Sequence, residues 1–242
     1  MYTAVLVALL GSGAEAADAP PVVVELFTSQ SCYACPPAEA LLGELAGRSD
    51  IIALEFHVDY WNDLVYGLAG RWIDVHSSPA YTERQRRYAT RLPGGGVYTP
   101  QAVVNGRREA VGSRTREVER AIAAAQDARV PRTAMTVEAT PSGLTIRIDR
   151  AAPMPPVPLW LVRYRLRETT RVGAGENRGK TLANHHVVTS LAEIGTWSGD
   201  AAVIAIPLEL APGEGCAVLA QGRELGPILA AAACPKSLAS AG

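Results

Sequence analysis

Val22-Val23-Val24-Glu25-Leu26-Phe27, then Thr28 to Ser31, then Cys32-Tyr33-Ala34-Cys35-Pro36-Pro37, is the stretch that decides the fold. The first six residues are a nearly continuous apolar run of strand length. Such a run, without alternation, predicts a parallel strand buried on both faces. A helix follows the cysteines through Leu41, Leu42, Leu45 and Ala46, and Gly47 stops it. The C-x-x-C pair therefore lies between a buried strand and a helix start. The helix N-terminus carries roughly half a positive charge, and its free N–H groups favour a thiolate. Cys32 is thus expected to be the nucleophile and Cys35 the resolving thiol in thiol–disulfide exchange. Zinc is the competing use of C-x-x-C, but it needs two further ligands. The other two cysteines, Cys216 and Cys234, stand about 180 residues away, and no His-x3–5-His pair is present.

Outward from this stretch, strands and helices alternate as far as Gln126. Ile51 to Val58 reads as a second buried strand. Ser78-Pro79 starts a helix, with Ser as N-cap and Pro at the first helical position. Arg84, Arg86 and Arg87 on that helix read as a solvated face. Thr99-Pro100 leads into a short strand, Gln101 to Val104. Asn105-Gly106 then predicts a tight hairpin, because both central residues must take positive φ. A last helix runs from Thr115 to Gln126, with Val118, Ile122 and Ala125 on one face.

Past Val130-Pro131 almost everything reads as strand. Leu144 to Asp149 alternates apolar and polar, as do Trp160 to Arg167. Further strands are expected at His186–Ser190, Ala202–Leu210, Cys216–Gln221 and Ile228–Ala233. Turn residues separate them, which predicts a small β-sandwich over 130–236. The fold class is accordingly α/β plus all-β, with the boundary near residue 130. Cys216 and Cys234 flank a hairpin whose turn is Gly222 to Gly226. They are expected to form a structural disulfide, the alternative being two buried thiols.

The chain has 242 residues, 48% of them hydrophobic, with 23 basic against 24 acidic side chains. That composition excludes disorder and coiled coil. The charge balance gives no electrostatic case for nucleic acid or an anionic membrane. Residues 4–10 form a short apolar run, followed by Gly11-Ser12-Gly13 and Ala14-Glu15-Ala16. This reads as a leader cleaved after Ala16, predicting export to the periplasm or the medium without membrane insertion.

The segment from Val22 to about Gln126 resembles the thioredoxin fold. The resemblance implies that the Thr99-Pro100 bond is cis and faces the cysteines. It also implies an insertion around Trp61 to Pro93. The local wording is closer still to a family of predicted secreted, thioredoxin-like bacterial proteins known only as a domain of unknown function. The matching stretches are Glu25 to Cys32, Cys35 to Ala38, His57 to Asn62, Tyr98 to Gln101 and Gly175 to Gly179. The first half is thus expected to be a thioredoxin-like domain over 20–129. Acids on the first strand relay a proton in related folds, so Glu25 is the candidate relay to Cys35. Its alternative is a strand-end carboxylate that reaches solvent.

These readings converge on an exported thiol–disulfide oxidoreductase. Its site would be Cys32, Cys35, Thr99, Pro100 and Glu25, with no cofactor and no metal. Its partners would be a protein thiol or disulfide and a redox partner, without nucleic acid. Tyr33-Ala34 between the cysteines leaves the direction of electron flow open. The alternative is a periplasmic binding module with a static disulfide. A further variant of it holds Cu(I) between the cysteines and His57. His57, Asp59, Trp61 and Asn62 are otherwise read as a polar loop that packs the insertion. Gly175 to Lys180 lacks the spacing and flanking elements of a phosphate loop and is expected to pack against the first half.

Overall fold

The computed structural model describes residues 19–127 and 132–235. The expected leader at 1–16, the boundary Val130-Pro131 and Lys236 lie outside the described residues. The order of elements is β1 (Val22–Thr28), α1 (Pro36–Ala46), β2 (Ile51–His57), α2 (Pro79–Ala89), β3 (Gln101–Val104), β4 (Arg108–Val111) and α3 (Thr115–Gln126). Then follow β5 (Met135–Thr140), β6 (Gly143–Ile148), β7 (Val157–Arg171), β8 (Thr181–Trp197), β9 (Ala202–Pro207), β10 (Glu214–Gln221) and β11 (Ile228–Ala233).

β1 and β2 pair in parallel, from Val22↔Ile51 to Thr28↔His57, and all their residues are buried. Their near-continuous apolar character follows from cover on both faces. β3 joins β1 antiparallel and turns into β4 through Asn105 (φ 48°) and Gly106 (φ 63°). Alternation along β1 sorts its side chains. Val22, Val24 and Leu26 pack with Leu42, Leu45, Val118 and Ile122, beneath α1 and α3. Val23 and Phe27 pack with Tyr81 and Tyr88 of α2 on the opposite face.

The second half departs from the expected arrangement. Its strands do not make a separate sandwich. One sheet of eight strands runs β11-β10-β7-β8-β2-β1-β3-β4, so the long β7–β8 hairpin continues the sheet beyond β2. Among the described residues, β5, β6 and β9 form a second, three-stranded sheet. Leu144, Ile146 and Ile148 of β6 pack on Leu159 and Leu161 of β7 and on Val218 and Ala220 of β10. The reverse face of the same strands, through Val162, Ala217 and Leu219, joins the core around Phe27 and Phe56. The sandwich character is therefore local: one of its layers is the flank of the large sheet. Period-2 alternation identifies a half-buried strand but not which sheet it joins.

β8 is far longer than the expected His186–Ser190. It meets β2 at Glu55↔Val187, and its backbone takes φ 51° at His186. Before that bend it runs along α1, with the His185 ring where a side chain at Gly43 would have to sit. The tip of the β7–β8 hairpin is thereby carried to the start of α1.

Candidate functional site

The cysteine pair stands where β1 hands over to α1. Cys32 and Cys35 are joined as a disulfide with Cα atoms 5.4 Å apart. Tight turns shape the loop: Cys32 N–H donates to Ser29 O at 3.0 Å and Cys35 N–H to Cys32 O at 3.2 Å. Cys35 occupies the N-cap of α1, and Pro36 and Pro37 open the helix. Proline suits those positions because their N–H groups have no helical acceptor. The same prolines remove two of the amide donors that an ordinary helix start offers to an anion. Both cysteines are at most 1% exposed, whereas Tyr33 between them is 67% exposed.

Thr99-Pro100 is a cis peptide. Pro100 is brought beside the first turn of α1, since a side chain at Gly112 would lie 3.3 Å from Pro100 Cβ and 3.1 Å from Ala38 Cβ. Glu25 is not brought to the cysteines. Its carboxylate is 1% exposed on the α2 face and is held by Arg84 Nε at 2.6 Å and Nη2 at 3.0 Å. Tyr88 Oη donates to it at 2.7 Å, and Gln221 of β10 completes the cluster. Arg84 is therefore a buried ion-pair partner, 5% exposed, and not part of a solvated face. Burial opposes its charge, but Glu25 and Tyr88 outweigh this and keep the guanidinium protonated. A one-residue parity decides the matter: odd positions of β1 face α2, and even ones face α1.

On the α1 side lies a set of acids that sequence reasoning did not single out. Glu39 is one helical turn after Cys35, its N–H bonded to Cys35 O at 3.1 Å, and is 2% exposed. It accepts from Thr28 Oγ1 at 2.7 Å. Burial and the nearby Glu55 charge push its carboxyl up to about 8. Beside it, fully buried His57 is gripped by Asp74 at 2.7 Å through Nδ1 and by Glu55 at 3.1 Å through Nε2. Burial works against the imidazolium, yet the attraction and hydrogen bonds of both carboxylates hold its pKa well above the usual value. Asp74 is pushed up by burial but lowered more strongly by His57 and by N–H donors from Gln30 and His76. Glu55 also accepts from Asn184 Nδ2 and His185 N–H of β8. Glu39 was legible in principle. Its spacing of four from Cys35 and three from Leu42 puts it on the buried face of α1. Asp74 was not, because only the folded 59–78 segment returns it to His57.

Asn62 bonds Ser77 and the Asp74 N–H and so closes the segment on itself, while Asp59 bonds Thr82 and ties it to α2. Among the described residues, no group of three or more His, Cys, Asp or Glu is arranged to hold a metal ion. Cys216 and Cys234 form a second disulfide, with Cα atoms 5.2 Å apart, across the β10–β11 hairpin.

The hairpin tip covers the cysteine loop. Asn177 Nδ2, completely buried, donates to Gln30 O at 3.0 Å and to Cys32 O at 2.8 Å. Glu176 accepts the Tyr33 N–H at 2.8 Å. Lys180 donates to Asn177 Oδ1 at 2.9 Å and stands 4.5 Å over the Tyr33 ring. The segment after β2 buttresses this tip, with Gly175 N–H bonded to Ala69 O and Arg178 to Leu68 O.

A chain with this sheet, two disulfides and a capped C-x-x-C turn can be placed by comparison. It belongs to the family described as "protein of unknown function (DUF1223)", which it matches over residues 23–221. It is similar to the crystal structure of protein AGR_C_4864 from Agrobacterium tumefaciens. The two are 28% identical with a TM-score of 0.74, over 90% of this chain and 95% of that one. It also resembles HBP35 of Porphyromonas gingivalis in fold, at 16% identity and a TM-score of 0.55, covering 88% of this chain and 74% of that one. No curated protein matches the chain.

Proposed function

We propose that this protein is an exported thiol–disulfide oxidoreductase with a thioredoxin-like first half, working on protein thiols or disulfides through Cys32 and Cys35. The observation that carries this reading is the placement of the pair. A disulfide separated by two residues sits at the N-cap of α1, at the end of a central parallel strand. A structural disulfide needs no such placement, and the second one, Cys216–Cys234, staples a hairpin instead. Cys32 precedes the helix and acts as the attacked and attacking sulfur, while Cys35 at the N-cap resolves the mixed disulfide. In this reading Thr99 and Pro100, beside the first turn of α1 near Ala38, form the substrate-facing loop. Glu25 has no part in this chemistry, because its carboxylate is committed to Arg84 across the sheet.

C32A and C35A variants are expected to lose insulin reduction, and C35A to accumulate mixed disulfides. Wild-type protein that is inactive from both its oxidised and its reduced state would sink the proposal. The burial of both cysteines favours a second reading, a binding module with an inert disulfide. A Cys32–Cys35 potential below about −300 mV, the range of structural disulfides, selects that second reading.

A further inference from the structure

An exchange site must let a foreign sulfur approach in line with a disulfide sulfur, yet Cys32 is 1% exposed and Cys35 is fully buried. The β7–β8 tip lies over the loop that carries them, bonded to its backbone. Asn177 bonds the carbonyls of Gln30 and Cys32, and Glu176 bonds the amide between the cysteines. Gly175 (φ 75°) lets the tip descend, since a side chain there would lie 3.1 Å from Ser31 Oγ. The closed arrangement is not fully satisfied. Gln30 Nε2 and Ser31 Oγ are buried in this loop, with no hydrogen-bond partner among the described residues.

We infer that Glu176 and Asn177 decide which thiols reach Cys32: they hold the cysteine loop shut, and a substrate enters only by displacing them and taking over their bonds. This rests on the oxidoreductase reading and deepens it by saying what controls access to the site and what in a protein substrate is recognised. Lifting the tip frees two carbonyls and one amide and exposes the unpaired Gln30 and Ser31 groups. An extended polypeptide flanking a cysteine carries alternating N–H and C=O groups that match this set. A small freely diffusing thiol carries none, so it reacts only in proportion to the fraction of molecules already open. The exchange itself is balanced. A substrate thiolate attacks Cys32 Sγ, a substrate–Cys32 bond forms, and the Cys32–Cys35 bond breaks with Cys35 leaving as a thiolate. A second substrate thiolate attacks the mixed disulfide and expels Cys32. The substrate dithiol becomes a disulfide, the pair becomes a dithiol, and the two protons pass from substrate to enzyme thiols. Glu176 and Asn177 touch no reacting atom and are positioning residues.

The test follows reduction of the oxidised full chain by dithiothreitol and by a reduced, unfolded cysteine-bearing polypeptide, in wild type, E176A and N177A. Dithiothreitol is expected to reduce both variants about tenfold or more faster than wild type, while the polypeptide rate changes much less, so the preference for polypeptide collapses. A purely structural role would lower stability without moving that ratio. E176A removes only an exposed carboxylate that accepts from the Tyr33 N–H, so it keeps the test usable should N177A fold poorly. Protection of the Tyr33 amide from hydrogen exchange, lost in E176A, is the companion readout. Equal dithiothreitol rates in wild type and E176A would overturn the inference. Faster dithiothreitol rates in the variants, with no exchange by any polypeptide dithiol, would leave the cover standing and remove both the substrate class and the oxidoreductase reading.

Discussion

Two buried carboxylates, Glu25 and Glu39, sit on opposite sides of one strand and do different things. Glu25 lies at an odd position of β1, so it meets Arg84 in an ion pair with almost no solvent contact. Glu39 has hydroxyl and acidic neighbours, with His57 the nearby cation, itself shared by Glu55 and Asp74. Its folded carboxyl titrates at about 8 against 4.5 for a free one. Between those values the folded state keeps a proton that the unfolded chain has released. Stability from this group is therefore complete below about pH 4.5 and is lost as the pH rises through about 8. E39Q removes that dependence. Urea unfolding should show the variant gaining on wild type by on the order of a few kcal/mol between pH 5 and pH 8. Parallel pH profiles would show that Glu39 is ionised throughout. The groups facing it (Thr28, Glu55, His57 and Asp74) are unchanged in the comparison. None of this partnership was legible from residue types alone. A glutamate in an apolar run marks burial, while its partner comes from a helix 59 residues further along.

At the scale of elements, local chemistry was read well where neighbours in sequence are neighbours in space. Ser78 caps α2 by accepting from the Ala80 N–H, and Pro79 occupies the first helical turn. Asn105-Gly106 supplies the two positive φ values of its turn. The β10–β11 hairpin pairs Ala217 with Ala233, which brings Cys216 and Cys234 together across it. A loop with a sequence separation of 18 is closed by that bond, a constraint on the unfolded chain of about 3 kcal/mol. A C216S/C234S double variant should lose about that much stability in urea and keep any exchange activity of Cys32 and Cys35. Loss of the activity along with the stability would mean that this hairpin does more than brace the sheet edge. The long β7–β8 hairpin was the element least accessible to local reading. Its alternation names a strand, but the bend at His186 and the path along α1 depend on contacts with Glu55 and Gly43.

For the whole molecule, the two halves are one structure. β8 lies beside β2, and the core around Phe27 and Phe56 takes Val162, Tyr164, Val188 and Leu219 from the second half. The first half alone would bare the edge of a central parallel strand and one face of its core. Residues 19–127 expressed alone should therefore lack fixed tertiary structure, with weak near-ultraviolet dichroism and strong dye binding. A cooperatively folded fragment would restore the two-domain division near residue 130. The same continuity delivers Glu176 and Asn177 to Cys32, more than 140 residues away in sequence.

By itself the sequence determined the buried parallel pair, the cysteine turn at a helix start, the caps and the tight hairpin. These depend on apolar runs, proline, glycine and short spacings, all of which act within a few residues. Only the tertiary structure decided that the later strands extend the first sheet, that Glu25 belongs to Arg84, and that a distant hairpin covers the cysteines. The physical reason is that a strand offers the same hydrogen-bonding edge to any partner. Which edge it meets, and which charge a buried carboxylate finds, is fixed by the packing of the whole chain.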